Sequence, residues 1–270
     1  MSRPALLGLG RAARAVRAEL AAALGVALRY RADFWLQSVV ALGWVGWTLI
    51  PLAVVYQDRP EVAGWTGGEA LLVLGFFLVL EGLLGAFIEP CLREVVEQVR
   101  TGTLDFVLLK PVDAQLQVSV QRIAPTRLPQ ALGGLLVVLG AAAALPTPPG
   151  PAEWAAAALL LGAGLVALHG VFTLVISASF WFVRVDNLSY LLQAGLDAGR
   201  WPIDVYRLPL RIFLTVVLPV GLMTSAPAQA LRGQLTGPAL AGALGVCLGF
   251  GALGRAVWLR ACARYSSASS

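Results

Sequence analysis

Two ionisable side chains stand inside long apolar runs of this chain, Glu81 and His169. An acidic residue near the centre of a bilayer-spanning helix costs on the order of 2.5–3.5 kcal/mol on insertion scales, so it must face protein or water. Glu81 could bind a cationic substrate, relay a proton, or only bond to a neighbouring helix. His169 is the sole histidine. That excludes a metal site needing several imidazoles and favours a helix–helix hydrogen bond. Intramembrane hydrolysis by a Ser–His pair is also disfavoured. Ser177 and Ser179 follow His169 by eight and ten residues, roughly 12–15 Å along a helix and beyond hydrogen-bond reach. Cys91, Cys247 and Cys262 are unclustered and form no metal or disulfide pattern. The only lysine, Lys110, precedes Pro111 and lacks the glycines of a phosphate-cradling loop, so ATP binding by that motif is not expected. Gly162-Ala-Gly164-Leu-Val-Ala167 mimics a dinucleotide fingerprint, but it lies inside an apolar run with no strand before it.

The elements that must position these groups are membrane helices. The chain is 58% hydrophobic and 13% charged, with mean hydropathy +0.78. Several apolar runs approach the ~20 residues that span a bilayer. They lack period-two alternation, which excludes a barrel. The expected fold is an all-α integral membrane protein with six transmembrane helices. The spans fall at about Phe34–Tyr56, Glu69–Ile88, Leu128–Leu145, Glu153–Val183, Leu208–Thr224 and Thr236–Leu259. The fifth is short. After it, Ser225–Gly233 reads either as a re-entrant element or as an ordinary outer loop. Glycines at Gly82, Gly85, Gly245 and Gly249 would allow close helix approach, within the subunit or across a dimer.

Six spans place both termini on one side. Eighteen of the twenty Lys and Arg then share that side, leaving only Arg59 and Arg232 opposite. The positive-inside rule assigns the basic side, with both termini, to the cytoplasm. The net charge of +5 therefore belongs to lipid headgroups and not to nucleic acid. Three regions follow. Residues 1–33 form a cytoplasmic arm, with Leu9, Ala13, Val16, Leu20 and Leu24 on one helical arc and Arg11, Arg14 and Arg17 beside it, as in an amphipathic interfacial helix. Residues 34–260 form the transmembrane domain, and 261–270 a cytoplasmic tail. The inner loop from Arg184 to Arg207 alternates in sign through Asp186, Asp197, Arg200 and Asp204 and reads as a solvated, self-paired surface.

The largest polar interruption runs from Glu89 to Asp113, between spans two and three. Leu92, Val95, Val96 and Val99 fall on one helical face, while Arg93, Glu94, Glu97, Gln98 and Arg100 take the rest. Gly102 is a helix stop, and Leu104–Leu109 forms a second apolar stretch. Two short elements joined at Thr101-Gly102-Thr103 would make a compact knob, either resting on lipid or docking a soluble protein.

The run R-E-V-V-E-Q-V-R-T-G-T-L-D-F-V-L-L-K-P-V-D, behind an arm containing L-R-Y-R-A-D-F-W, resembles the membrane subunit of bacterial ABC exporters of the type-2 (type V exporter) superfamily. The resemblance covers essentially the whole chain, and Gly102–Phe106 and Leu109–Asp113 are its most specific parts. It implies a non-catalytic permease subunit whose residues Arg93, Glu94, Glu97, Arg100, Thr101, Gly102, Thr103, Leu104 and Asp105 couple to an ATPase. It also implies two soluble ABC ATPase subunits that bind ATP and Mg, with no cofactor in this chain, and a second permease, identical or related. The alternative is an ion-gradient-driven transporter or channel using Glu81.

Overall fold

The computed structural model describes residues 17–18, 20–25, 29–109, 113–178 and 186–264. Most of the expected amphipathic arm lies outside them, as do Lys110, Ser179, Arg184 and residues 265–270.

Helix α1 (Arg31–Asp58) buries Ser38, Ala41, Val45, Thr48 and Leu52, a 3–4 residue stripe. Its other faces leave Trp35, Val39, Val40 and Trp47 exposed. A two-residue hairpin follows, β1 (Glu61–Val62) against β2 (Trp65–Thr66). Its loop residues Ala63 and Gly64 take φ of 54° and 83°, the left-handed pair that a tight hairpin turn requires. Thr66 and Glu69 then close a capping box on α2 (Gly67–Leu83).

Helix α2 does not end at Ile88. A widened turn over Leu84–Ile88 leads into α3 (Glu89–Thr101), and Gly102 stops it at φ 73°. The result is a 35-residue rod from Gly67 to Thr101. At 1.5 Å per residue the rod is ~50 Å long, against a hydrocarbon core of ~30 Å. The rod is thus about 20 Å longer than the hydrocarbon core is thick. Beyond Gly102 come α4 (Asp105–Leu108) and α5 (Ala114–Val118). Then follow α6 (Leu128–Ala143), α7 (Pro151–Ala178), α8 (Asp186–Asp197), α9 (Leu208–Ile212, prolonged by a widened turn to Val217), α10 (Val220–Leu231) and α11 (Gly237–Arg264).

Small residues set the packing. A Cβ on Gly82 would fall 2.4 Å from Ala131 N, and one on Gly170 would fall 2.3 Å from Phe250 O. Helices α2 and α6, and α7 and α11, thus meet backbone to backbone. Gly245 and Gly249 meet nothing within 4 Å, so that pair faces outward. Gly85 lies under the side chain of Arg127.

The fifth span differs from the hydropathy reading. Helices α9 and α10 are bent by 96° about Leu218-Pro219. Trp65 of the hairpin meets the chain on both sides of this pair. Its Nε1 donates to Asp204 Oδ2 at 2.9 Å, and the Arg232 guanidinium stacks 4.1 Å above its ring. The pair therefore enters and leaves at the hairpin end of the molecule, which makes it re-entrant. The crossing is made earlier. Gln193 lies 3.5 Å from Glu89, Gly199 sits against Phe77 and Val220, and Asp204 reaches Trp65. Against the α2–α3 rod, residues 193–204 climb from its lower third to its top. This corrects the expected inner loop: Asp204 and Arg211, which pair with each other, sit at the hairpin end. Hydropathy missed the crossing because Gln193, Asp197, Arg200 and Asp204 are polar, yet each has a partner among the described residues.

Candidate functional site

Two polar constructions stand out, a knob at the projecting end of the rod and a cavity half-way along it. In the knob, Leu92, Val95, Leu104 and Val107 are buried in a core shared with Val118 and the lower end of α7. That burial fixes the register and turns Arg93, Glu97, Arg100, Thr101 and Thr103 outward. Ion pairs brace the surface. Arg93 meets Glu89 at 2.5 Å, Arg100 meets Glu97 at 2.6 Å, and Glu94 reaches Arg122 at 2.5 Å. Thr101 Oγ1 donates to Glu97 O at 2.8 Å and lies 2.9 Å from Thr103 Oγ1. Leu104 N–H donates to Gln98 O, folding α4 back beneath α3. Asp105 opens α4 and is half-buried.

Two residues outside the expected coupling set complete the knob. Phe106 is 69% exposed and Leu109 80% exposed. They share one face of α4, opposite buried Leu104 and Val107. Their i, i+3 spacing was the available signal, but apolar spacing alone does not distinguish core from surface until the register is known. A second unforeseen contact ties the knob to α11. Arg255 forks onto Asp113, with one bond to Oδ1 of 2.9 Å and another to Oδ2, and it also donates to Gln115 Oε1 at 2.9 Å. Burial alone would raise the Asp113 carboxyl. The bonds from Arg255 and the Leu116 N–H outweigh it and hold the group below the ordinary carboxylate range.

The cavity holds about 370 Å³ between α1, α2, α6, α7, α8 and α10. Trp44, Phe77, Leu168 and Met223 form apolar wall. Glu81 points into it, and its Oε2 accepts from Gln130 Nε2 at 2.7 Å. Gln130 is itself buried, held there by the backbone contact of Gly82 with Ala131. Arg200 pairs with Asp197 at 2.8 Å and lies 5.3 Å above the Phe77 ring. His169 is elsewhere, at the other side of α7. Its Nε2 lies 3.3 Å from Ser119 Oγ, and Thr173 Oγ1 donates to its backbone carbonyl. Glu81 and His169 are therefore not brought together.

A knob on an overlong second helix, a re-entrant pair before the last span and a polar cavity thus stand together in one helical bundle. The family model described as ABC-2 family transporter protein matches residues 42–269. The chain belongs to the ABC-2 transporter family. No curated protein and no solved structure matches it. As an ABC-2 chain it is a multi-pass membrane permease, the membrane component of an ABC transporter. The match takes in the rod, the knob, the cavity and the re-entrant pair, and it leaves out the N-terminal arm and the start of α1.

Proposed function

We propose that this ABC-2 permease acts as one of two permease subunits and is driven by two separate ATPase subunits that bind ATP and Mg. ATPase movement presses on the knob, and the rod carries the displacement to the cavity. Substrate passes from the cytoplasm or its leaflet outward along the path that the cavity begins. The observation carrying this reading is a rod about 20 Å longer than the hydrocarbon core, with Phe106 and Leu109 bare at its tip. Exposed apolar side chains beyond the bilayer are unfavourable unless a partner covers them. We assign the knob end to the cytoplasm, in the bacterial inner membrane that the family reading implies, because Arg31, Arg93, Arg100, Arg122, Arg127 and Arg255 lie toward it.

The test is gentle extraction from native membranes and mass identification of what co-purifies. A stoichiometric soluble protein carrying a phosphate-loop motif is expected with the wild-type chain. Phe106→Asp with Leu109→Asp should lose it, about 10-fold or more, since both side chains are exposed and the fold has no need of them. Recovery of the chain alone, even after cross-linking, would instead support gradient-driven transport through Glu81.

A further inference from the structure

The charges around the cavity cancel in pairs, with one exception. The cavity continues through two adjoining clefts, and Arg127 lines all three spaces. Along this path Arg93 pairs with Glu89, Arg122 with Glu94, and Arg200 with Asp197. Among the described residues, Glu81 and Arg127 have no ion-pair partner. They do not satisfy each other, because no contact within 4.0 Å joins them. Arg127 lies across Gly85 of the widened turn, about one helical turn below Glu81 along the rod. Two opposite charges without a direct ion pair thus line one path, anchored about one helical turn apart along the rod. Each has a fitting surround. Trp44 lines both spaces that Glu81 lines, so a carboxylate and an indole, the two groups that attract an ammonium, border the same space. Arg127 is exposed towards the knob end, where a phosphate or carboxylate could reach a planar guanidinium. Apolar wall from Phe77, Leu168 and Met223 continues beyond Glu81, and the exposed flank of α1 borders the second cleft.

We propose that this path is a binding site for zwitterionic amphiphiles, with the cationic group at Glu81 and Trp44, the anionic group at Arg127, and the apolar tail leaving Arg127 along Leu36 and Val40 of α1. The inference names the substrate class of the permease and rests on the permease reading, but not on the ATPase partner. Gln130 is a positioning residue here, holding the Glu81 carboxylate aimed into the space.

The test uses the full-length chain with its co-purifying subunits in nanodiscs, without ATP. Binding of radiolabelled lysophosphatidylethanolamine is competed by lysophosphatidylglycerol, which is anionic only, and by dodecyltrimethylammonium, which is cationic only. The zwitterion should bind about 10-fold more tightly than either. Glu81→Gln should bring the zwitterion down to the anionic probe and leave the anionic probe unchanged. Arg127→Gln should do the reverse, bringing it down to the cationic probe. Thermal melts of both variants check that they are folded. Equal affinity for all three probes, or variants that weaken all three alike, would overturn the proposal. Because ATP is absent, failure of coupling to an ATPase would leave this result unaffected and is read separately from the co-purification.

Discussion

At the scale of single residues, Glu81 and Gln130 show how a carboxylate is tolerated deep in a bundle. The side chains bond at 2.7 Å, and the glycine contact of α2 with α6 brings the helices close enough for them to meet. Removing one partner strands the other. Gln130→Leu should therefore destabilise the permease by about 1–3 kcal/mol, the cost of an unsatisfied buried polar group. The double change of Glu81→Leu with Gln130→Leu should cost less than the single one, since two apolar side chains leave nothing unpaired. Thermal unfolding of the four proteins in detergent closes this cycle. A double variant less stable than Gln130→Leu would show that the pair contributes more than mutual satisfaction. His169 follows the same logic with a different partner. Its ring faces Ser119, from the segment after α5, which hydropathy could not have nominated.

At the scale of elements, the Asp113–Arg255 fork fastens the knob to α11. Both side chains are about one-third exposed or more, so its strength is moderated by solvent. A carboxyl held below its ordinary value stabilises the fold fully above that value, near 4, and loses the contribution as pH falls through the lowered one. The melting-temperature gap between wild type and Asp113→Asn should thus be constant from about pH 8 to 5 and shrink at lower pH. A gap that persists unchanged to pH 3 would mean that the carboxylate charge is not what holds the knob. A second fastening sits at the opposite end, where Arg232 meets Glu69 at 2.7 Å with both side chains largely buried. It also donates to Gly64 O at 2.9 Å and covers Trp65. Arg232→Ala leaves the Glu69 carboxylate buried and should cost about 3–5 kcal/mol in thermal stability, releasing the exit of the re-entrant pair. These fastenings show what the sequence made legible and what it did not. Five crossings were readable because each is apolar over its length. The climb through residues 193–204 was not, because hydropathy scores each residue alone and cannot see Asp197 pairing with Arg200 or Asp204 accepting from Trp65. The knob was readable from Leu92, Val95, Val99 and Gly102. Its bare tip was not, since Phe106 and Val107 look alike until burial separates them.

At the scale of the whole molecule, the unbroken α2–α3 rod decides how a push at the knob could reach the cavity. The rod passes Glu81 and Gly85 on its way from the hairpin to Gly102. A displacement of its projecting third must therefore move the cavity wall, provided the helix is continuous between them. Breaking that continuity without touching the tip separates stiffness from docking. Arg93 lies between the cavity and the knob core, and its side chain is 78% exposed. Arg93→Ala removes the surface pair with Glu89, worth at most about 1 kcal/mol. Arg93→Pro also removes the backbone bond to Glu89 and drives the ring into that turn, at ~3 kcal/mol or more. If the rod transmits force, Arg93→Ala should keep most of the transport-linked ATP turnover. Arg93→Pro should lose it about 10-fold or more while still co-purifying the ATPase, because Phe106 and Leu109 remain exposed. Full turnover in Arg93→Pro would mean that motion travels by another route, and the Asp113–Arg255 fork into α11 is then the connection to sever next.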